Sequence, residues 1–205
     1  MNILLNSCMV MLLYMNFFVC NNSECESREQ TGENSTQDSL VIIAGKLDKA
    51  FNTHNVSGFF ELFPAIFSQF ELLYGYDDKK GEGILYKKYQ DHIGFLCDNG
   101  NISEKDKLNK LINIGVDGRW DADAVAMLQK CTLDLIKNNV QASVKILNGL
   151  SKSETMKFWA YLFDGPHPND KENTKSFNNL KQSVEKIDSN QAMLMEQAFK
   201  KISVE

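Results

Sequence analysis

The chain reads as an all-α protein, a single compact bundle of seven or eight helices behind an N-terminal signal and a flexible tether. Three observations lead to that class. From Leu40 onward apolar residues recur every third or fourth position, the spacing that lines one face of a helix. Helix-start and helix-stop residues punctuate that periodicity again and again. Three Pro and few Gly-rich stretches supply too few turn signals for a many-stranded β-sandwich.

The elements follow in order. Leu40, Ile43, Leu47, Ala50 and Phe51 mark a first helix, broken at residues 55–57. Phe59, Phe60, Leu62, Phe63, Ile66, Phe67, Phe70 and Leu73 are apolar on nearly every side, which predicts a buried central helix with a kink at Pro64. Residues 75–83 form a loop. Leu85, Tyr89, His92, Ile93 and Leu96 make a third helix, closed by the Asp98, Asn99, Gly100 turn. Ser103 with Asp106 reads as an N-cap and an acidic first turn before Leu108, Leu111 and Ile112. After Asp117 and Gly118 comes a helix carrying Ala124, Met127, Leu128, Cys131, Leu135 and Ile136, then a short one with Val140, Val144 and Leu147. Ser151 and Glu154 form a capping box for the helix of Met156, Trp159 and Phe163, which stops at Gly165 and Pro166. The last helix, about residues 172–202, carries Phe177, Leu180, Val184, Ile187, Leu194, Ala198 and Phe199, with a break near Asp188.

Ahead of this domain, residues 40–205, stands an apolar run from Ile3 to Val19, interrupted by Asn6, Ser7 and Asn16. It falls short of the ~20 apolar residues that a spanning helix needs and reads as a signal peptide, residues 1–20, although no Lys or Arg precedes it. Cys20 is then the lipid-attachment candidate; Phe17, Phe18 and Val19 are bulkier than such a site usually has, so simple secretion stays open beside acylation. Residues 21–39 are polar and acidic, cannot bury enough apolar surface to fold, and as a coil reach about 25 Å. In an oxidising compartment Cys97 and Cys131 are a possible disulfide, with Cys25 left in the tether; two separate buried thiols are the alternative.

A 43% hydrophobic content with thirteen Phe is enough for a proper core. A net charge of −5 and the lack of a basic patch argue against nucleic acid as a partner. There is no G-x-S-x-G, no Gly-rich phosphate loop and no H-E-x-x-H, so neither a catalytic nucleophile nor a cofactor is implied.

Three loop clusters stand out: Tyr74, Gly75, Tyr76, Asp77 and Asp78; then Asp117, Gly118, Arg119, Trp120, Asp121, Ala122 and Asp123; then Phe163, Asp164, Gly165, Pro166, His167 and Pro168. Tyr76, Asp77, Arg119, Trp120, Asp121, Asp123, Asp164 and His167 are the candidate functional surface. Asp121, Asp123, Asp164 and His167 have the donor atoms for a divalent metal. Residues at i and i+2 face different sides of a helix, however, and capping of the helix that starts there explains Asp121 or Asp123 better. His167, between two prolines, reads first as part of a rigid helix stop whose imidazole bonds nearby backbone, and second as a general base paired with Asp164. His92, on an apolar helix face, reads as a satisfied core histidine.

Leu62, Phe63 and Pro64 with Phe67 and Phe70, the Tyr74 to Asp77 cluster, Leu85 and Tyr86, His92 and Ile93, and the two later loops together resemble a family of small exported bacterial proteins. The likeness spans about residues 58–168. It implies an exported, often lipid-anchored protein in the periplasm or at the outer membrane, and it carries over no catalytic role. The expected function is that of a non-enzymatic protein-binding module of the envelope, immunity-type or a periplasmic partner. A metal-assisted hydrolase using Asp121, Asp123, Asp164 and His167, and a structural envelope lipoprotein, are the alternatives.

Overall fold

The periodic apolar faces fold as ten α-helices among residues 26–121 and 123–203, the residues described in this computed structural model. The signal-peptide segment, Cys20 and Cys25 lie outside the described residues. The chain divides into two units, Met1–Asp38 and Ser39–Glu205. In the first, the described residues are helical from Glu26, inside the segment read from composition as tether.

Helix α1 spans Glu26–Asn52, α2 Val56–Leu62 and α3 Phe67–Tyr74. A two-stranded hairpin follows, β1 (Tyr76–Asp77) against β2 (Gly81–Glu82), antiparallel with Tyr76 opposite Glu82. Gly81 closes its turn at φ +82°, a conformation that favours glycine. A 3₁₀ turn at Tyr86–Lys88 leads into α4 (Tyr89–Asp98). Then come α5 (Glu104–Val116), α6 (Ala124–Asn138), α7 (Val140–Leu147), α8 (Lys152–Phe163), α9 (Lys171–Glu185) and α10 (Ser189–Ile202).

Ten helices replace the expected seven or eight because two apolar segments are each cut in half. Pro64 has no amide donor and pushes Phe63 to ψ 139°, so the Phe-rich stretch becomes α2 and α3, bent 107° apart. Asp188 accepts amide hydrogens from Asn190 (2.9 Å) and Gln191 (3.0 Å), capping α10 and ending the run of α9. Among the described residues no single helix is long and apolar enough to cross a membrane; the bent α2–α3 pair passes by length and composition only.

The central helix is also not the expected one. Two clusters of buried side chains make up the core, one beneath α1 to α6 and one among α5 to α10. Helix α8 serves both: Tyr161 joins the first, while Phe158, Trp159, Leu162 and Phe163 join the second. Its capping box is formed, Ser151 Oγ accepting from the Glu154 amide and Glu154 Oε2 from the Ser151 amide. The α2–α3 segment buries Phe59, Phe63, Phe67, Phe70, Leu73 and Tyr74, as expected, but leaves Ile66 and Leu72 about half exposed.

Several polar groups inside this core are paired across elements, while the buried Tyr161 hydroxyl has no hydrogen-bond partner among the described residues. His92 is fully buried, with Nδ1 2.8 Å from the Tyr74 hydroxyl and Nε2 3.4 Å from Asp48 of α1. The Trp159 indole donates to Gln191, whose amide donates to Asn148, which in turn donates to Asp188, linking α8, the end of α7 and α10. Cys97 of α4 and Cys131 of α6 are joined by a disulfide with Cα atoms 6.2 Å apart.

Candidate functional site

The three loop clusters are brought into one chain of contacts. The end of α3 runs beside residues 83–85, with the Gly83 amide on the Gly75 carbonyl (2.8 Å) and the Leu85 amide on that of Leu73 (2.7 Å). That pairing seats the hairpin, and the hairpin presents Tyr76, 52% exposed, to Tyr86 with ring centroids 6.1 Å apart. Tyr89 continues the row at 6.0 Å from Tyr86. The Tyr86 hydroxyl donates to Asp123, which crosses from the first cluster to the second.

Asp123 sits at the N-cap position of α6, but its side chain caps nothing there. This corrects the capping expectation for that residue. Its backbone, at φ 44° and ψ −88°, is in a sparsely populated region that costs about 1–3 kcal/mol, and the carboxylate is turned to Tyr86 instead of to the helix amides. The Asp123 bond holds the Tyr86 phenol up at about 12, with burial and the Asp123 charge adding to it.

The second cluster is fixed from beneath. A Cβ on Gly118 would collide with the Tyr161 ring, so only glycine lets this loop lie against α8. Beyond it Arg119 pairs with Glu71 of α3 and lies over the Phe67 ring at 5.9 Å. The Trp120 amide donates to Asp164 Oδ2 (2.9 Å), while Asp164 Oδ1 accepts the Gly165 amide (2.9 Å). Asp164 therefore ties the second cluster to the third, and the Trp120 side chain is left 37% exposed.

The other candidates have plainer roles. Asp77 accepts the amides of Lys79 (2.8 Å) and Lys80 (2.7 Å), an Asx turn that holds its carboxyl below the usual carboxylate range. His167 is exposed, and its contribution to the turn is its carbonyl, which accepts the Asp170 amide (3.0 Å) ahead of α9. The proline loop is held instead by Asn173, whose amide donates to the carbonyls of Phe163 (2.9 Å) and Pro168 (2.8 Å). Asp121 is half-buried. Among the described residues no three His, Cys, Asp or Glu side chains are grouped so as to hold a metal ion.

Several residues of this surface were not singled out from the sequence. Tyr86 and Tyr89 lie three apart, the spacing of one helix face, and that was their available signal. Glu71 shows as the partner of Arg119 through a contact 48 residues away, which no local pattern encodes. Buried Gln129 donates to the carbonyls of Tyr161 and Asp164 and so braces the same corner from α6.

Comparison of the chain with protein-family models, with curated proteins and with solved structures finds no match in any of the three.

Proposed function

We propose that this protein is a non-enzymatic binding module exported to the cell envelope, and that it takes a partner protein on the surface built by Tyr76, Tyr86, Arg119 and Trp120. The observation that carries the reading is the chain of contacts from Tyr76 through Tyr86 and Asp123 to Trp120 and Asp164. Aromatic and Arg side chains dominate the energetics of protein interfaces; here Tyr76, Arg119 and Trp120 are exposed and Tyr86 is half-buried, with Tyr86 held by Asp123, Arg119 by Glu71 and the Trp120 backbone by Asp164. Preorganisation of that kind lowers the cost of ordering on association. An immunity-type or periplasmic partner role is consistent with the acidic charge and with the absence of any nucleophile motif in the sequence.

Export rests on the apolar run that ends before Cys20, and a disulfide between Cys97 and Cys131 suits an oxidising compartment. Lipid attachment at Cys20 is part of the same proposal; the intact mass of material purified from membranes, set against Cys20→Ala, tests it. For the binding role, wild-type protein and a Trp120→Ala/Arg119→Ala variant serve as baits in quantitative affinity capture from envelope extracts. A specific protein held by the wild type and depleted at least tenfold on the variant is the expected result. Identical captures on both baits would remove this surface from the function.

A further inference from the structure

We propose that the row of Tyr76, Tyr86 and Tyr89, with the Asp123 carboxylate at its edge, receives a Lys or Arg side chain from a basic segment of the partner protein; this rests on the protein-binding reading above.

The tyrosine rings are inclined to one another, 55° between Tyr76 and Tyr86 and 46° between Tyr86 and Tyr89, so they do not stack their faces away. Tyr76 is half exposed and the other two are half-buried, leaving electron-rich surface open to solvent. Such faces attract Lys and Arg, whose apolar stems also cover aromatic surface.

The row is flanked by lysines, Lys79 and Lys80 in the hairpin turn and Lys87 and Lys88 between Tyr86 and Tyr89, so the sign of the site is set at its edge by the Asp123 carboxylate. Asp123 is exposed and accepts a hydrogen bond from a neutral phenol, that of Tyr86. Glu82, opposite Tyr76 in the hairpin, adds a second carboxylate whose field reaches Tyr86. Glu82 does have a cation, Lys87 at 3.4 Å, but both side chains of that pair are largely exposed and it can exchange partners. Asp77 does not count towards the site, because its carboxylate is used by the hairpin turn. An anionic group placed against the rings would meet the Asp123 carboxylate at their edge.

The strained backbone of Asp123 fits this assignment. A carboxylate capping the helix N-terminus would be engaged by the amides of α6. Turned to Tyr86, it lies beside the rings.

The test uses the full chain and tetralysine amide as the probe, followed by NMR, with tetraglutamate and choline as controls. Tetralysine is expected to shift the signals of Tyr76, Tyr86, Tyr89 and Asp123. Its affinity is expected to fall roughly tenfold in Asp123→Asn, which keeps an acceptor for Tyr86, and roughly three- to thirtyfold in Tyr76→Leu. Tyr76 is exposed and Asp123→Asn is isosteric, so both variants are expected to fold, which circular dichroism checks. Unchanged affinity in both variants, or no shift at the three tyrosines, overturns the proposal. Choline binding as tightly as tetralysine overturns it too, in favour of a small organic cation. Asp123→Asn used as bait in the affinity capture separates the two readings. A partner lost on Trp120→Ala/Arg119→Ala but retained on Asp123→Asn sinks this inference alone; a partner held equally by all three baits sinks the parent reading.

Discussion

His92 shows how a single side chain can make the fold sensitive to acid. Burial is the leading influence and holds the imidazole below its ordinary value, while Asp48 opposes that shift and Lys88 and Asp91 add smaller effects of opposite sign. The rings of Phe51, Phe59 and Tyr74 pack around it and carry no charge that could take its place. The unfolded chain then binds a proton, near pH 6.5, that the folded chain refuses. The stability due to neutral His92 is therefore present above that value and is lost as pH falls through it towards the lower folded value. Urea midpoints at about pH 7.5 and about pH 5.5 are expected to differ in the wild type and to lie closer together in His92→Gln. Equal differences in the two proteins would assign the acid sensitivity to other groups. Glu196, held down at about 2 chiefly by its bonds to Lys181 and Lys200, is half-buried and acts in a far more acidic window.

The loop of residues 117–121 illustrates how an element is placed by what it must not contain. Gly115 and Gly118 both lie against rings of α8, Gly115 against Phe158 and Tyr161, and Gly118 against Tyr161. These contacts press α5 and the loop close to the central helix, and Arg119 and Trp120 project from the far side. Gly118→Ala is expected to cost about 1–3 kcal/mol, because the added methyl forces the loop or the ring to move. The urea midpoint measures that cost, and partner capture is expected to weaken with it because Trp120 is displaced from Asp164. A Gly118→Ala protein as stable as the wild type would mean that the loop yields freely and that its close approach does not set the surface. The break at Pro64 also acts through what is missing: without an amide donor there, the apolar run ends as two short helices bent 107° apart.

Across the whole domain, the two clusters of buried side chains share α5, α6 and α8, and the disulfide ties α4 to α6 within the first cluster. It joins residues 34 apart in sequence, so by chain entropy it stabilises the fold by about 3–4 kcal/mol relative to the open chain. A Cys97→Ser/Cys131→Ser variant is expected to lose about 2–4 kcal/mol, read from its urea unfolding curve, and reduction of the wild type is expected to match it. No loss would show that helix packing alone holds α4. Lys107 supports the same junction, donating from its buried amine to the Cys97 carbonyl at 2.7 Å.

Helix class, the order of the helices and most of their ends were legible in the linear chain, because a 3.6-residue period and caps such as Ser103 and Ser151 act over a few residues. Local pattern also picked out the loops that hold Tyr76, Trp120 and Asp164. It could not rank the helices by burial: the stretch from Phe59 to Leu73 is richer in apolar residues than α8, yet α8 holds the centre. Nor could it foresee that Asp123 would leave its cap for Tyr86, or that Glu71 would meet Arg119. Those outcomes depend on groups tens of residues apart being packed side by side, and the energy of such contacts exists only once the chain has closed around them.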